Sequence, residues 1–305
     1  MAERLLILDS NSIIHRVFHA LPRLTTKEGE LINAVYGFLL VLFRVLKEFQ
    51  PNYACACFDF PAKTFRHEKF KEYKSKRPPT PKDLISQIPK IKEILNSFQI
   101  PIFEKEGFEA DDLIGTIVKK TPSIEKIIVS GDLDTLQLVS KETKVFALRG
   151  IKKSILYDEK EVEKKYGGLK PYQISDFKAL AGDASDNIPN INGIGPKTAL
   201  HLILKFGDLD NLYYEIENNS QKTKEIPLKL INVLLEKKAQ VFLSRELAMI
   251  KTDVFVEFDP KRCSFGNFDE NLIKMLFEKL GFKSLVKRLE EIKSLSRESN
   301  NLKLF

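Results

Sequence analysis

Acidic residues recur at one kind of place in this chain. Asp9 closes the first apolar run and Asp59 the second, and Glu109, Asp111 and Asp112 follow the third where a helical pattern begins. Asp132 and Asp134 follow the fourth, and Gly182-Asp183-Ala184-Ser185-Asp186 adds two more acids. Glu109 and Asp112 are three apart, as are Asp183 and Asp186, so each pair can share a helix face. A single acid of this sort reads as a helix cap or turn former. Nine gathered in one crevice would repel one another, and burying them unpaired would be very costly. Cations must sit among them. Oxygen donors without His or Cys select a hard ion, Mg²⁺ or Mn²⁺, and the surplus points to two ions. Two such ions about 4 Å apart stabilise the attacking and leaving oxygens of an in-line phosphoryl displacement.

For these acids to meet, the elements carrying them must share an edge. Candidate strands fall at 4–8, 53–58, 100–104, 126–130 and 144–147, alternating with helical patterns at 11–20, 32–49 and 110–120. That alternation predicts a mostly parallel central sheet flanked by helices, whose strand C-termini line one crevice. Beyond residue 170 strands nearly vanish, and helical segments are expected at 171–181, 197–206, 227–247 and 271–293. The expected organisation is therefore an α/β domain over 1–170, a helical domain over 171–293 and a polar, mobile tail over 294–305. Residues 61–98 are too long for a simple crossover.

Two further stretches suit a polyanion. Residues 63–77 hold seven Lys or Arg and two acids, with Phe65, Phe70 and Tyr73 interleaved. Basic side chains track a phosphate backbone, and aromatics offer stacking surfaces. Gly193-Ile194-Gly195-Pro196-Lys197-Thr198 opens a helix with a glycine turn, matching neither a P-loop nor a dinucleotide fingerprint. Its reading is a helix-hairpin-helix in which Gly193, Gly195, Lys197 and Thr198 grip a duplex backbone.

Composition narrows the classes. The 305 residues carry 49 Lys+Arg against 42 Asp+Glu, and setting the nine acids aside leaves 33 acidic residues and a surplus of 16. That surplus favours a polyanionic partner, bound with steep salt dependence. No secretory signal or 20-residue apolar span is present, and a cytoplasmic location is expected. Cys55 and Cys57 read as small buried residues of a strand. His15 and His19 lack the acidic partner of a zinc pattern and are expected to pack or lie on the surface.

The chain resembles the 5′-nuclease domain of bacterial DNA polymerase I, within the flap-endonuclease superfamily. The resemblance rests on Leu8-Asp9, Phe18-His19-Ala20-Leu21, Ala34-Val35-Tyr36-Gly37-Phe38, Cys57-Phe58-Asp59, Phe65-Arg66-His67-Glu68, Tyr73-Lys74 through Arg77 and Pro79-Thr80-Pro81. It continues with Gly107 through Asp112, Gly131-Asp132-Leu133-Asp134, Gly182 through Asn187 and Gly193-Ile194-Gly195. It implies a PIN-like α/β fold with a helical arch over 61–98, through which a single 5′ strand passes. Lys74 and Arg77 would act on the scissile phosphate, Arg66 and Tyr73 would guide the strand, and all nine carboxylates would serve metal binding. The implied reaction is hydrolysis near the single-strand/duplex junction of 5′-flapped or nicked DNA, RNA-primed strands included, during replication and repair. The different-class competitor is a non-catalytic branched-DNA-binding module, against which the intact acid set argues. Relatives often stand at the front of a polymerase; none follows here, so a stand-alone monomer is expected. The final Asn301-Leu302-Lys303-Leu304-Phe305 resembles the pentapeptide that docks replication proteins on a sliding clamp, with Asn in place of the usual Gln.

Overall fold

The computed structural model describes residues 3–151 and 153–301. Strands β1 (Arg4–Asp9), β2 (Tyr53–Cys57), β3 (Ile102–Phe103), β4 (Glu125–Ser130), β5 (Thr143–Leu148) and β6 (Ser154–Tyr157) build one sheet in the order β3-β2-β1-β4-β5-β6. The first five are parallel, and β6 runs antiparallel on β5. All five expected strands are present, the third reduced to two residues. The sixth was not expected, because Ile155 and Leu156 are both partly exposed and show no alternation.

In β1 successive leucines and isoleucine serve opposite faces, as period-two geometry requires. Leu6 and Leu8 join a core with α1 (Ser10–Ala20) and α2 (Asn33–Phe49), whereas Leu5 and Ile7 pack with Cys55 and Cys57 on the other face. Both cysteines are buried, as expected. The long excursion after β2 contains α3 (Phe65–Lys69), α4 (Lys82–Ile85) and α5 (Ile88–Ser97), and α6 (Ala110–Lys120) leads from β3 to β4.

After β6 come α7 (Glu159–Lys165), α8 (Ile174–Ala181), α9 (Pro196–Phe206), α10 (Leu209–Glu217), α11 (Leu228–Glu236) and α12 (Lys238–Ala248). Leu169 through Val241 contribute to a separate core formed largely by these helices. The expected helix 227–247 is broken at Lys237, between α11 and α12. The expected 271–293 is likewise split at Gly281 (φ +74°) into α13 (Glu270–Lys279) and α14 (Lys283–Asn301). Backbone at 294–301, expected as a mobile tail, continues α14; the rest of the clamp-like peptide lies outside the described residues.

Packing also divides the chain differently from a single 171–293 domain. Beyond α12 the chain returns to the sheet: the Val254 amide donates to Thr116 Oγ1 (3.1 Å) and the Phe265 amide to the Asn52 carbonyl (2.9 Å). Gly115 permits this return, since a Cβ there would stand 2.6 Å from Ile250 Cγ2 and 2.7 Å from the Lys251 carbonyl. Phe277, Leu285 and Leu289 then bury themselves in the same core as α2. Among the described residues no helix is long and apolar enough to cross a membrane.

Candidate active site

The chain leaves β1 toward β2 on one side and reaches β4 on the other, which opens a crevice at the carboxyl ends of the strands. A cavity of about 770 Å³ occupies that position. Asp9, Asp59, Glu109, Asp111, Asp132, Asp134 and Asp183 all line it, seven of the nine expected carboxylates. Lys74, Arg77, Lys178, Arg16, His15 and His19 line it too.

Backbone and hydroxyl donors fix the acids. The Ser12 amide (3.3 Å) and the Ser130 hydroxyl both donate to Asp9, and the Ala110 amide donates to Asp59 (2.8 Å). The Asp132 amide donates to Ser130 Oγ (2.8 Å), and the Asp134 amide to Asp132 Oδ1 (2.9 Å), so the turn after β4 is knitted to the end of β1. Across the cavity, Asp183 follows Gly182, whose φ of +77° turns the chain sharply after α8. A Cβ at Gly182 would also lie 2.7 Å from the Asn190 amide nitrogen. Asp183 Oδ1 accepts from the Ser185 amide (2.8 Å) and hydroxyl (2.6 Å).

Three cations stand among these acids. Lys74 Nζ lies 2.7 Å from Glu109 Oε1, Arg77 Nη2 lies 2.5 Å from Asp186 Oδ1, and Lys178 bridges Asp134 and Asp183, 2.6 Å from the latter. Lys74 has a left-handed backbone (φ +53°), held by its amide bond to the Asp186 carbonyl (2.9 Å). Asn187 Nδ2 donates to the Glu72 carbonyl (2.8 Å), so the turn carrying Lys74 and the turn carrying Asp186 clasp each other.

The electrostatics follow the neighbours. Burial, reinforced by Asp132 and Asp59, pushes the Asp9 carboxyl up to about 7. Burial also raises Asp59, and burial with Asp9 and Asp132 nearby raises Asp111 well above the usual range. Asp134 is raised to about 6 by burial despite Lys178. For Asp183 and Glu109 burial loses instead: Lys178 holds the first down to about 2, and Lys74 with Arg66 holds the second below its ordinary value.

Several expected site residues are not on the cavity wall. Asp112 is fully buried beneath it, paired with Arg66 at 2.7 and 2.8 Å. Arg66, only 2% exposed, is turned away from any strand by this pairing and by the carbonyls of Leu247 and Met249 (2.9 Å each). Tyr73, also 2% exposed, donates its hydroxyl to Asp186 at 2.9 Å and presents no stacking face. Asp186 lies just behind the wall, between Tyr73 and Arg77. The glycine turn is separate from the cavity. Gly193 has φ +84°, a Cβ at Gly193 or Gly195 would meet no atom within 4 Å, and α9 begins without a side-chain cap. First-turn amides of Lys197 and Thr198 thus have no intrahelical acceptor.

Lys178 was missed from the sequence because nothing local marks it within a helical pattern. Arg16, whose Nη2 donates to the Gly131 carbonyl (2.7 Å), and His15 and His19 reach the cavity lip through the 3.6-residue period of α1.

In this conformation no three of the described acids converge closely enough to hold one ion. The donor set still fits a hard divalent cation: the wall offers carboxylate oxygens without a thiol, and its Asp9, Asp59 and Asp111 have no Lys or Arg in salt-bridge range among the described residues.

Comparison with known proteins bears on the same residues. Residues 4–167 match the 5′-3′ exonuclease N-terminal resolvase-like domain, and 169–271 match the 5′-3′ exonuclease C-terminal SAM fold. DNA polymerase I of Bacillus subtilis is 39% identical over 303 residues, 98% of this chain but 34% of that protein. The chain thus spans about a third of the polymerase relatives it matches. A 5′-3′ exonuclease of Aquifex aeolicus is 37% identical over 94% of this chain and 96% of its own length. Among solved structures, a bacteriophage T5 flap endonuclease complex with DNA and metal ions superposes with TM-score 0.66 at 19% identity, covering 97% of this chain and 100% of that one. The catalytic core of Rad2 with DNA substrate gives 0.57 at 17%, covering 95% and 92%. These two likenesses establish the fold.

Proposed function

Because the chain belongs to the 5′-3′ exonuclease family, we propose that it is a divalent-cation-dependent nuclease hydrolysing phosphodiester bonds near the single-strand/duplex junction of 5′-flapped or nicked DNA. The observation that carries this reading is the cavity at the strand C-termini, where seven carboxylates and four Lys or Arg side chains meet. Mg²⁺ or Mn²⁺, two ions in this reading, would be held by Asp9, Asp59, Asp111, Asp132, Asp134 and Asp183, and would acidify the attacking water and stabilise the leaving 3′-oxygen.

The chain's own groups do the positioning. Lys74 and Arg77 exchange Glu109 and Asp186 for oxygens of the scissile phosphate, offsetting its charge as it builds. Released, Glu109 and Asp186 become acceptors at the cation side of the cavity. Of residues 61–98, expected as an arch throughout, only Lys74, Arg77 and Pro78 line the cavity, while Leu84, Ile91, Ile94, Leu95 and Phe98 pack into the core with α2. In this reading the turn carrying Lys74 and Arg77 is the part that receives the 5′ strand. The Gly193–Gly195 turn, with Lys197 and Thr198, holds the duplex backbone at the uncapped start of α9. The protein acts in the cytoplasm as a monomer on DNA and RNA-primed 5′ ends. Residues 301–305 dock on a sliding clamp, an idea that unchanged clamp pull-down after deletion of 302–305 would remove.

The deciding experiment incubates the protein with labelled 5′-flap, nicked and RNA-primed duplexes in Mg²⁺, Mn²⁺ or chelator. Short 5′-phosphorylated products ending near the junction, and none in chelator, are expected. Flap binding without product in either metal would leave only a branched-DNA-binding module.

A further inference from the structure

Beneath the cavity lies a charged pair to which the reaction outlined above gives no role. Asp112 Oδ1 accepts from Arg66 Nη2 (2.8 Å) and the Lys251 amide (2.9 Å), and Oδ2 accepts from Arg66 Nη1 (2.7 Å) and the Glu109 amide (3.1 Å). A carboxylate offers about four lone-pair sites, and all are taken. Arg66 is equally committed: Nε donates to the Leu247 carbonyl (2.9 Å), Nη2 also to the Met249 carbonyl (2.9 Å), and Nη1 also to Glu109 Oε2 (3.4 Å). All five guanidinium N–H groups have acceptors. Asp112 is 0% exposed and Arg66 2%. Neither can take a ligand without breaking a buried charge-assisted bond.

The pair joins three elements that carry different parts of the cavity. Arg66 sits on α3, from which the chain runs on to Lys74 and Arg77. Asp112 lies in the first turn of α6, beside Glu109 and Asp111. The two carbonyls belong to the C-terminal end of α12, which packs along α8, the helix that carries Lys178 and leads into Asp183.

We propose that Arg66 and Asp112 are a positioning pair, a closed joint that sets the spacing between the Glu109–Asp111 side of the cavity and the Lys178–Asp183 side, and that neither binds a cation or the DNA strand. This rests on the nuclease reading for its consequence in turnover. A planar five-donor fork is needed to reach three elements at once, so lysine cannot replace Arg66.

The test uses the full chain with Asp112→Asn, Arg66→Lys and the combined Arg66→Met, Asp112→Leu, which removes both charges together and leaves no unpaired ion to unfold the protein. Asp111→Asn serves as the comparator. Three quantities are read: kcat and KM on a 5′ flap, flap affinity in Ca²⁺, and Mn²⁺ affinity from the free-ion electron paramagnetic resonance signal. Each single substitution should lower kcat by about 10- to 100-fold, the range for groups that orient a metal site. KM, flap affinity and Mn²⁺ affinity should stay within about twofold of wild type. Combined loss should not exceed the larger single loss, because one network is broken in each case. Weakened Mn²⁺ binding in Asp112→Asn to the extent seen in Asp111→Asn, with Arg66→Lys unaffected, would make Asp112 a ligand and overturn the proposal. Weakened flap binding at full kcat in Arg66→Lys, or full turnover in all three variants, would overturn it as well. If wild type releases no product, the nuclease reading fails, and the Mn²⁺ and flap titrations alone judge the pair.

Discussion

Within the cavity Asp9, Asp59 and Asp111, taken together as its floor, have no Lys or Arg in salt-bridge range among the described residues, whereas Glu109 and Asp183, taken as its wall, are each gripped by a lysine. The acids are chemically alike, yet their proton affinities move in opposite directions. Burial penalises charge on both sides; only on the lysine side does a nearby ammonium outweigh it. A cluster of acids is thus not one electrostatic object. The unpaired floor holds the charge that divalent ions would neutralise, and the paired wall is balanced before any ion arrives.

Removing the lysine that balances the wall should have the largest effect on the fold. Lys178→Met leaves Asp134 and Asp183 without their shared partner, and breaking a buried pair from one side costs about 3–5 kcal/mol. Denaturant unfolding in chelator should show that loss, with part of it recovered in Mg²⁺; unchanged stability would mean that the wall is not balanced by this residue. On the floor the sign reverses. Asp111→Asn should raise the melting temperature in chelator by relieving repulsion from Asp9 and Asp132, while lowering turnover by at least about a hundredfold. A lower metal-free melting temperature would contradict the picture of an unpaired floor.

The smallest effect is expected from pH. Asp9 and Asp134 are displaced upward, from 3.8 to about 7 and about 6, so between those limits the folded protein holds protons that the unfolded chain has released. Metal-free stability should therefore fall as pH rises from about 5 to 8, by on the order of a few kcal/mol at most. Asp183 and Glu109 work in the opposite sense, but their contribution is complete above the ordinary carboxylate range. Saturating Mg²⁺ should flatten the slope by occupying the floor. Melting curves across that window, with and without Mg²⁺, would expose a floor that behaves like the wall.

Much of this site could be seen before any coordinates. Asp9, Asp59 and Asp132 follow apolar runs, and parallel strand ends share an edge, so their convergence follows from topology. The membership of Asp183 was legible as an acidic turn after a helix, though not the lysine five residues before it. The basic stretch 63–77 was harder. Lys74 and Arg77 reach the cavity, while Arg66 and Tyr73, read as facing a nucleic acid strand, turn inward. No local pattern separates the two pairs. The partners that draw Arg66 inward stand 46, 181 and 183 residues away.

By itself, the sequence determined the five parallel strands and most of the helices, the residue types available for chemistry and the edge at which most of them gather. Those depend on local periodicity and on the geometry of parallel sheets. Tertiary structure alone decided which long charged side chains face the cavity and which are spent beneath it. It also decided that the chain beyond α12 returns to the first core. A flexible side chain points toward whichever distant partner satisfies it best, and burial with full hydrogen bonding outweighs any preference written nearby.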